Sequence, residues 1–400
     1  MRPGIWIFIE LLLLGGFLAF NVIAYRLHDK RRSAIKIRVH VNGTRGKSSV
    51  VRLIAAGLRQ AGIRTIAKTT GTVAAIIYPD GSEEVVLRRG DRGNILEHML
   101  LFKEAVSCGA EAVVAECNAL QAPMQKIAEE KLMRSTVGVI TNVRPDHLDV
   151  MGPTICDVAE GLALTIPRNA TFVTTEGEFA AYFEKKAREK NTKFIQALKP
   201  AAITNEMMSG LQYLEHRENV ALAIEVCKVL GVQEGVALSG MYTCHPDPGV
   251  LRTFKIHDQG KYVEFINALA TNDPFSLFKI WQRMMRKISE DQLKIMLINC
   301  RRDRYSRSQQ LVSLVSHELP TDYCVLVGEG TGHIATSMIR HGLNESKILN
   351  MGVTTPQLVF ERVMSLTKKD SVVFAIGNIA DRHRLGMAIV EYFEERSAAQ

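Results

Sequence analysis

Few cysteines occur in this sequence, and they carry no metal or redox pattern. The seven cysteines of the 400-residue chain form no Cys-x-x-Cys pair and no Cys/His spacing typical of a zinc site. Their odd number suits a reducing compartment. Internal repeats and low-complexity segments are also missing, and the composition is that of an ordinary globular protein.

Strong charge of one sign is missing outside one short segment. Residues 26–38 carry six Lys or Arg and one Asp, which leaves about +3 of the formal +8 for the rest of the chain. Because the basic charge is local, it favours contact with anionic lipid headgroups over a DNA or RNA surface. We therefore expect no nucleic-acid partner.

One long apolar run stands near the start. Residues 4–25 are long enough to cross a hydrocarbon core of about 30 Å as a helix. No small-x-small cleavage site follows them, so we expect a retained transmembrane anchor. The basic residues lie after the run, with only Arg2 before it, which predicts a single-pass protein of the cell membrane with cytoplasmic catalytic domains.

The length after the anchor favours two domains. We expect an anchor with its basic segment at 1–36, a central domain at 37–249 and a C-terminal α/β domain at 250–400. The second boundary is placed where Pro246, Pro248 and Gly249 interrupt the periodic segments. Deleting residues 1–36 is expected to leave a folded central domain that keeps its ligand-binding function.

Strand-like and helix-like runs alternate through both domains, which is α/β patterning. The sequence predicts a P-loop-type central domain with a mostly parallel sheet and a smaller Rossmann-like C-terminal domain. Expected strands are at 37–41, 65–68, 111–115, 136–141, 261–266, 294–299, 323–327 and 371–376.

A short phosphate-binding loop joins the first strand to a helix. Its residues are Gly43, Thr44, Arg45, Gly46, Lys47, Ser48 and Ser49. The glycines let backbone amides approach an anion, Lys47 can reach the terminal phosphates of ATP, and Ser48 can hold Mg²⁺. Only two residues separate Gly43 from the Gly-Lys pair, so this is not the usual GxxxxGK[ST] loop. The alternative is a glycine-containing turn capped by Ser48.

Polar residues follow three further strands. Thr70 lies in a Thr-rich turn, Glu116 ends a buried strand, and Asn142 begins the segment that runs to Asp146, His147 and Asp149. Such strand ends are where doubly wound sheets bind ligands. Taken singly, each is as well explained by a β-turn, a helix cap or a solvated turn, but their joint placement favours a site.

These motifs resemble the ATP-dependent Mur ligase and folylpolyglutamate synthase superfamily. The resemblance implies that Lys47 holds terminal phosphates, that Ser48 and Glu116 hold one Mg²⁺, and that His147 with Glu116 binds a second. His216 to Ala223 resembles the family's HxxN helix, so Asn219 would meet the adenine ring. More weakly, Asn272 lies in a segment similar to a His-Asn-Pro motif of the C-terminal domain.

Two departures from the family bear on metal and substrate. A lysine follows the family's Asp-His-Leu-Asp motif, but residues 152–166 contain none, so the second metal is expected to be held less firmly. Only the anchor precedes the phosphate loop in this sequence, so we expect no counterpart of the uridine-nucleotide domain of the Mur enzymes. A nucleotide-linked peptidoglycan substrate is therefore disfavoured.

Arginines stand at one strand end of the second domain. Arg301 and Arg302 follow a predicted strand and could bind a carboxylate-rich substrate bidentately; the alternative is a solvated loop. Thr70, Asn142 and Asn272 complete the expected substrate residues.

An anchor joined to such a ligase resembles the synthase subunits of poly-gamma-glutamate capsule systems. The resemblance implies an enzyme that joins glutamate through its gamma-carboxylate via an acyl phosphate, with release of ADP. It also implies hand-over of the growing polymer to small membrane subunits. Alternatives are a folylpolyglutamate synthase-like or other amide ligase, and an ATPase that powers polymer export.

Overall fold

A computed structural model of the chain describes residues 3–71, 74–86, 93–145, 148–197, 200–211, 213, 215–246, 251–258, 260–271, 274–286, 288–289, 291–379, 381 and 383–398. The chain divides into two compact units, Met1–His245 and Pro246–Gln400. Each unit has its own β-sheet.

The first unit contains the following elements. Its helices are α1 (Pro3–Ala34), α2 (Lys47–Gln60), α3 (Glu97–Ser107), α4 (Ala122–Ile127), α5 (Leu148–Met151), α6 (Ile155–Ala163), α7 (Ala180–Glu189), α8 (Asn205–Ser209), α9 (Arg217–Val229) and α10 (Glu234–Tyr242), with a π-helical turn at Ala128–Met133 and a 3-10 turn at Pro200–Ala202. Its strands are β1 (Ile37–Asn42), β2 (Thr65–Thr69), β3 (Ala75–Ile77), β4 (Glu83–Val85), β5 (Ala112–Glu116), β6 (Val137–Ile140), β7 (Thr171–Thr174) and β8 (Lys193–Gln196).

The first sheet has the strand order β4-β3-β2-β5-β1-β6-β7-β8. Strands β2, β5, β1, β6, β7 and β8 pair in parallel, and the short β3 and β4 add antiparallel pairs at one edge. The central strands β5 and β6 are buried throughout, as expected for a parallel sheet covered on both faces. The carboxyl ends of the parallel strands lie at the same edge of the sheet, so the ends of β1, β2, β5 and β6 lie close together.

Helix α2 covers one face of this sheet. Val39 and Val41 of β1 point to the same face of the sheet, because side chains alternate along a strand. On that face they join a core cluster with Val50, Leu53 and Ile54 of α2. Helices α9 and α10 contribute to the same cluster, with Val220 and Ala237 among its members. The phosphate loop between β1 and α2 is therefore anchored at both ends in packed core.

The long helix α1 is apolar enough to cross a membrane over Glu10–Ala34, by length and composition. Its last turns, however, pack onto the first unit: His28 and Arg32 are buried, and Ile35, just after the helix, joins a core cluster with Phe102 of α3. A cut after residue 36 would remove these buried side chains. The deletion expected to spare the domain therefore has to end before His28.

The second unit holds the remaining elements. Its strands are β9 (Arg252–Asp258), β10 (Lys261–Asn267), β11 (Leu293–Cys300), β12 (Tyr323–Gly328), β13 (Ile348–Gly352) and β14 (Asp370–Gly377). Its helices are α11 (Pro274–Met285), α12 (Tyr305–His317), α13 (Thr331–Arg340), α14 (Pro356–Leu366) and α15 (Leu385–Ala398), with 3-10 turns at Arg302–Arg304 and Glu345–Lys347. The sheet order is β13-β12-β11-β14-β10-β9, parallel except for the β9/β10 pair.

The α/β class and the mostly parallel sheets are confirmed. Every strand expected from the sequence is present within a few residues of its predicted limits. The sequence reasoning missed β3, β4, β7, β8, β9 and β13, which all lie at or near the edges of the two sheets.

Candidate active site

The phosphate loop forms a tight turn whose backbone only glycine tolerates well. Gly43 and Gly46 have φ of 129° and 79°, in the left-handed region. The side chain of Asn42 accepts a hydrogen bond from the Gly43 amide at 2.8 Å. Gly46 stands at the N-cap of α2 without a side-chain cap, so the positive end of the helix remains open to an anion. Ser49 lies in the first turn of that helix.

Lys47 folds back over the loop that it follows. Its Nζ donates hydrogen bonds to the carbonyls of Gly43 at 2.7 Å and Thr44 at 3.3 Å. These neutral acceptors hold the ammonium group above the turn. A phosphate oxygen at the loop would offer it a stronger, charged partner.

Glu116 contacts two of the other expected residues. Its Oε2 accepts a hydrogen bond from the Ser48 hydroxyl at 2.8 Å and another from the Thr70 amide at 2.7 Å. The strand register places Glu116 opposite Val41, at the end of β1. Among the described residues, none donates to Oε1 of Glu116, so one oxygen of this buried carboxylate is left for a further ligand.

Asn142 clamps the loop from the end of β6. Its side-chain oxygen accepts from the Thr44 hydroxyl at 2.7 Å and the Arg45 amide at 3.1 Å, and its Nδ2 donates to the Arg45 carbonyl. The hydroxyl of the preceding Thr141 donates to the same carbonyl at 2.7 Å. Asn142 thus shapes the phosphate loop.

Comparison with known proteins decides the family. Residues 253–396 match the family described as Poly-gamma-glutamate synthase CapB C-terminal domain, and residues 41–229 match the Mur ligase middle domain. The chain is 35% identical over 387 residues to the PGA synthase CapB of Bacillus subtilis (strain 168), which covers 96% of both proteins. The chain belongs to the CapB family. The Capsule biosynthesis protein CapB of Bacillus anthracis is 37% identical over 361 residues, 90% of this chain and 77% of that protein.

Solved structures confirm the fold of this CapB family member. E. coli FolC in complex with DHPP and ADP aligns with a TM-score of 0.60 at 15% identity, covering 93% of each chain. MurF from Acinetobacter baumannii aligns with a TM-score of 0.63 at 16% identity, covering 94% of this chain and 80% of that one. Both resemble the chain in architecture, in agreement with the superfamily expected from the motifs.

Several expected residues are not positioned by the structure. His147 and Asn272 lie outside the described residues, as does Asp146. Within the described ranges, no group of three or more His, Cys, Asp or Glu side chains is arranged to hold a metal ion. The Ser48–Glu116 pair is therefore the part of the expected metal site that the described residues contain.

Arg301 and Arg302 line a cavity in the CapB C-terminal domain. Arg301 is buried and pairs with Asp303 through Nε at 3.0 Å and Nη2 at 2.7 Å, whereas Arg302 is exposed. The cavity is about 450 Å³, and Glu329, Gly330 and His333 also line it. Sequence reasoning missed these three, although Gly328, Gly330 and Gly332 mark a glycine-rich strand-to-helix turn.

Asn219 packs directly against the phosphate loop. Its side chain is buried and donates to Glu215 at 2.8 Å. A Cβ added at Gly46 would lie 2.6 Å from the Asn219 Oδ1. Asn219 therefore lies beside the turn that the sequence assigned to phosphates.

We expect Gly46→Ala to abolish nucleotide binding and lower the melting temperature. The substitution adds backbone strain of about 1–2 kcal/mol and also forces Asn219 and the loop apart. Gly62→Ala is the matched control, because φ is 80° there and no atom lies within 4 Å of its added Cβ. Titration with AMPPCP and thermal unfolding of both variants would check this; wild-type affinity in Gly46→Ala would contradict it.

Proposed function

We propose that the protein is an ATP-dependent amide ligase that polymerises glutamate through its gamma-carboxylate and releases ADP and phosphate. The observation that carries the proposal is the contact of Ser48 with Glu116 at 2.8 Å, beside Lys47 at the start of α2. The similarity to the PGA synthase CapB of Bacillus subtilis and the match to the poly-gamma-glutamate synthase CapB C-terminal domain support the poly-gamma-glutamate product. The ADP and AMPPCP in folylpolyglutamate synthase structures support the nucleotide.

The donor set at Glu116 fits Mg²⁺. A hydroxyl and a carboxylate oxygen are the hard ligands that this ion prefers, and Oε1 has no donor from the described residues. Ser48 and Glu116 would hold the ion, which would neutralise charge on the terminal phosphates. His147 remains our proposed ligand for a second ion.

The chain's own groups fit transfer of the terminal phosphoryl group to a carboxylate. Two oxyanions must approach each other in that step, and Lys47 with the open end of α2 supplies positive charge where they meet. The amine of the next glutamate would then attack the acyl phosphate and form the amide. Asn219 is proposed to contact the adenine ring, and Thr44, Arg45 and Ser49 to line the phosphates.

The acceptor side is proposed for the second domain. Arg301 and Arg302 would bind carboxylates of glutamate or of the growing chain, because a guanidinium matches a carboxylate bidentately. Thr70, Asn142 and Asn272 complete the proposed substrate residues. The limits 1–36, 37–249 and 250–400 remain our proposed domain assignment.

We propose that α1 holds the enzyme in the cell membrane as a single span, with both α/β units in the cytoplasm. The apolar stretch and the basic residues after it support this orientation. Arg26 and Lys30 are exposed near the end of the helix, where anionic lipid would meet them. The proposed partners are small membrane subunits that export the polymer.

Glutamate-dependent ATP turnover separates this function from the alternatives. In membranes that contain the protein, we expect ADP release to require free glutamate and to match the formation of gamma-linked amide. Equal ADP release without glutamate would instead favour an ATPase that powers export. Glutamate addition only to a folate acceptor would favour a folylpolyglutamate synthase-like ligase.

A further inference from the structure

Two buried ion pairs lie behind the candidate ATP site. Lys68 of β2 contacts Glu97 of α3 at 2.7 Å, and His40 of β1 contacts Glu129 of the π-helical turn at 2.8 Å. The side chains are 1% and 10% exposed in the first pair and 0% and 2% in the second. Buried pairs of this kind are costly to break, because the remaining charge is left in a medium of low polarity.

Both basic residues face the sheet surface opposite α2. His40 lies between Val39 and Val41, which point to the α2 side, and side chains alternate along a strand. Lys68 likewise follows Ala67, which packs with α2. The face that they share is covered by α3 and the π-helical turn, whose Phe102 and Met133 pack there.

Each pair stands two residues before a group of the ATP site. Lys68 precedes Thr70, whose amide donates to Glu116 at 2.7 Å. His40 precedes Asn42, whose side chain accepts from the Gly43 amide. Glu97 therefore holds β2, which leads to the Thr70 amide bonded to Glu116. Glu129 holds β1, which leads into the phosphate loop.

The charges in this layer are set by its surroundings. Burial opposes the charged form of His40, but the Glu129 carboxylate that contacts its Nδ1 raises its pKa above the ordinary value. Burial, together with the charges of His40 and Lys68, lowers the pKa of His98 to about 3. The His40 and His98 rings lie edge to face, with centroids 5.5 Å apart.

The cytoplasmic end of α1 is packed on the same two elements. The His28 ring is hydrogen-bonded through Nε2 to the Leu132 carbonyl at 2.9 Å, and Arg32 donates to the Lys131 carbonyl at 2.7 Å. Both carbonyls belong to the turn that carries Glu129. The His28 ring also meets Phe102 of α3 edge-on, with centroids 5.5 Å apart.

We propose that Glu97 and Glu129 are positioning residues of the ATP site, and that the docked end of α1 holds them in place. Glu97 acts through Lys68 and Thr70 on Glu116, and Glu129 acts through His40 on the phosphate loop. The membrane helix is then part of the structure that orients the metal carboxylate. This inference rests on the proposed role of Glu116 as a Mg²⁺ ligand.

The proposal for Glu97 and Glu129 is tested by measuring how much Mg²⁺ increases the affinity for nucleotide. AMPPCP binding to the full chain in detergent would be measured with Mg²⁺ and with EDTA. We expect Glu97→Gln and Glu129→Gln to reduce that gain by roughly tenfold or more, as for other groups that orient a metal ligand. Glu129→Asp, which keeps the charge, should restore part of it.

Two controls separate positioning from loss of stability. Leu101→Val removes one methylene from the same buried layer, and Lys103→Gln changes an exposed residue of α3. Both should keep the wild-type gain, even where Leu101→Val lowers the melting temperature as far as Glu97→Gln does. A wild-type gain in folded Glu97→Gln and Glu129→Gln would overturn the proposal.

The test for α1 uses the same measurement. His28→Ala with Arg32→Ala is expected to reduce the Mg²⁺-dependent gain, whereas Lys131→Ala should not, because its side chain is exposed and only its carbonyl is used. If the double variant does not fold, the gain is measured in Arg32→Lys instead. An unchanged gain in the folded docking variants would overturn the role of α1. Absence of any gain in the wild type would instead refute Glu116 as a metal ligand.

Discussion

Replacing Lys47 by alanine is expected to lower glutamate-dependent ADP release by about 10² to 10³-fold, the loss typical of removing one charge-stabilising group from a transition state. The fold should be unaffected, because Nζ bonds only to the carbonyls of Gly43 and Thr44 among the described residues. The measurement is kcat at saturating ATP and glutamate, with thermal unfolding alongside.

Lys103→Ala is the control for loss of a lysine, since this residue is exposed on α3. Its turnover should equal that of the wild type. Retained turnover in a folded Lys47→Ala protein would remove the phosphate loop from the mechanism.

Replacing Glu116 is expected to have a similarly large effect through the metal. Glu116→Gln keeps an oxygen acceptor for the Ser48 hydroxyl and the Thr70 amide but loses the negative charge. Because a metal ion contributes several kcal/mol of charge stabilisation, and about 1.4 kcal/mol is tenfold in rate, we expect turnover to fall by about 100-fold or more. Turnover across a Mg²⁺ titration measures it.

Glu116→Ala distinguishes charge from structure. It leaves the Ser48 hydroxyl and the Thr70 amide without their acceptor, so its melting temperature should fall while that of Glu116→Gln stays near the wild-type value. If Glu116→Gln keeps its Mg²⁺ response, the carboxylate is not a metal ligand.

The central layout of the first unit could be predicted from the sequence because its signals are local. The glycines, Lys47 and Ser48 occur at a strand-to-helix turn, and the parallel strand ends place Glu116 within reach of Ser48. Strands buried on both faces read as continuous apolar runs, so β5 and β6 were predicted close to their true limits.

Other features depend on contacts that no local pattern reports. Strands β7 and β8 have four residues each and lie at one edge of the sheet. Their burial depends on packing against α7, which a short sequence pattern does not reveal. The burial of His28 and Arg32 could not be predicted from the sequence, because polar residues that follow an apolar run look the same whether they are buried or solvated. The bonds of Asn142 to Thr44 and Arg45 arise only because β6 lies beside β1.

The fate of a carboxylate oxygen tests the proposed reaction most directly. With glutamate labelled by oxygen-18 in its carboxylates, an acyl-phosphate route transfers one labelled oxygen to the phosphate released with each amide. We therefore predict labelled inorganic phosphate in proportion to the polymer formed, with ADP as the nucleotide product. Unlabelled phosphate beside labelled polymer, or AMP in place of ADP, would contradict the account.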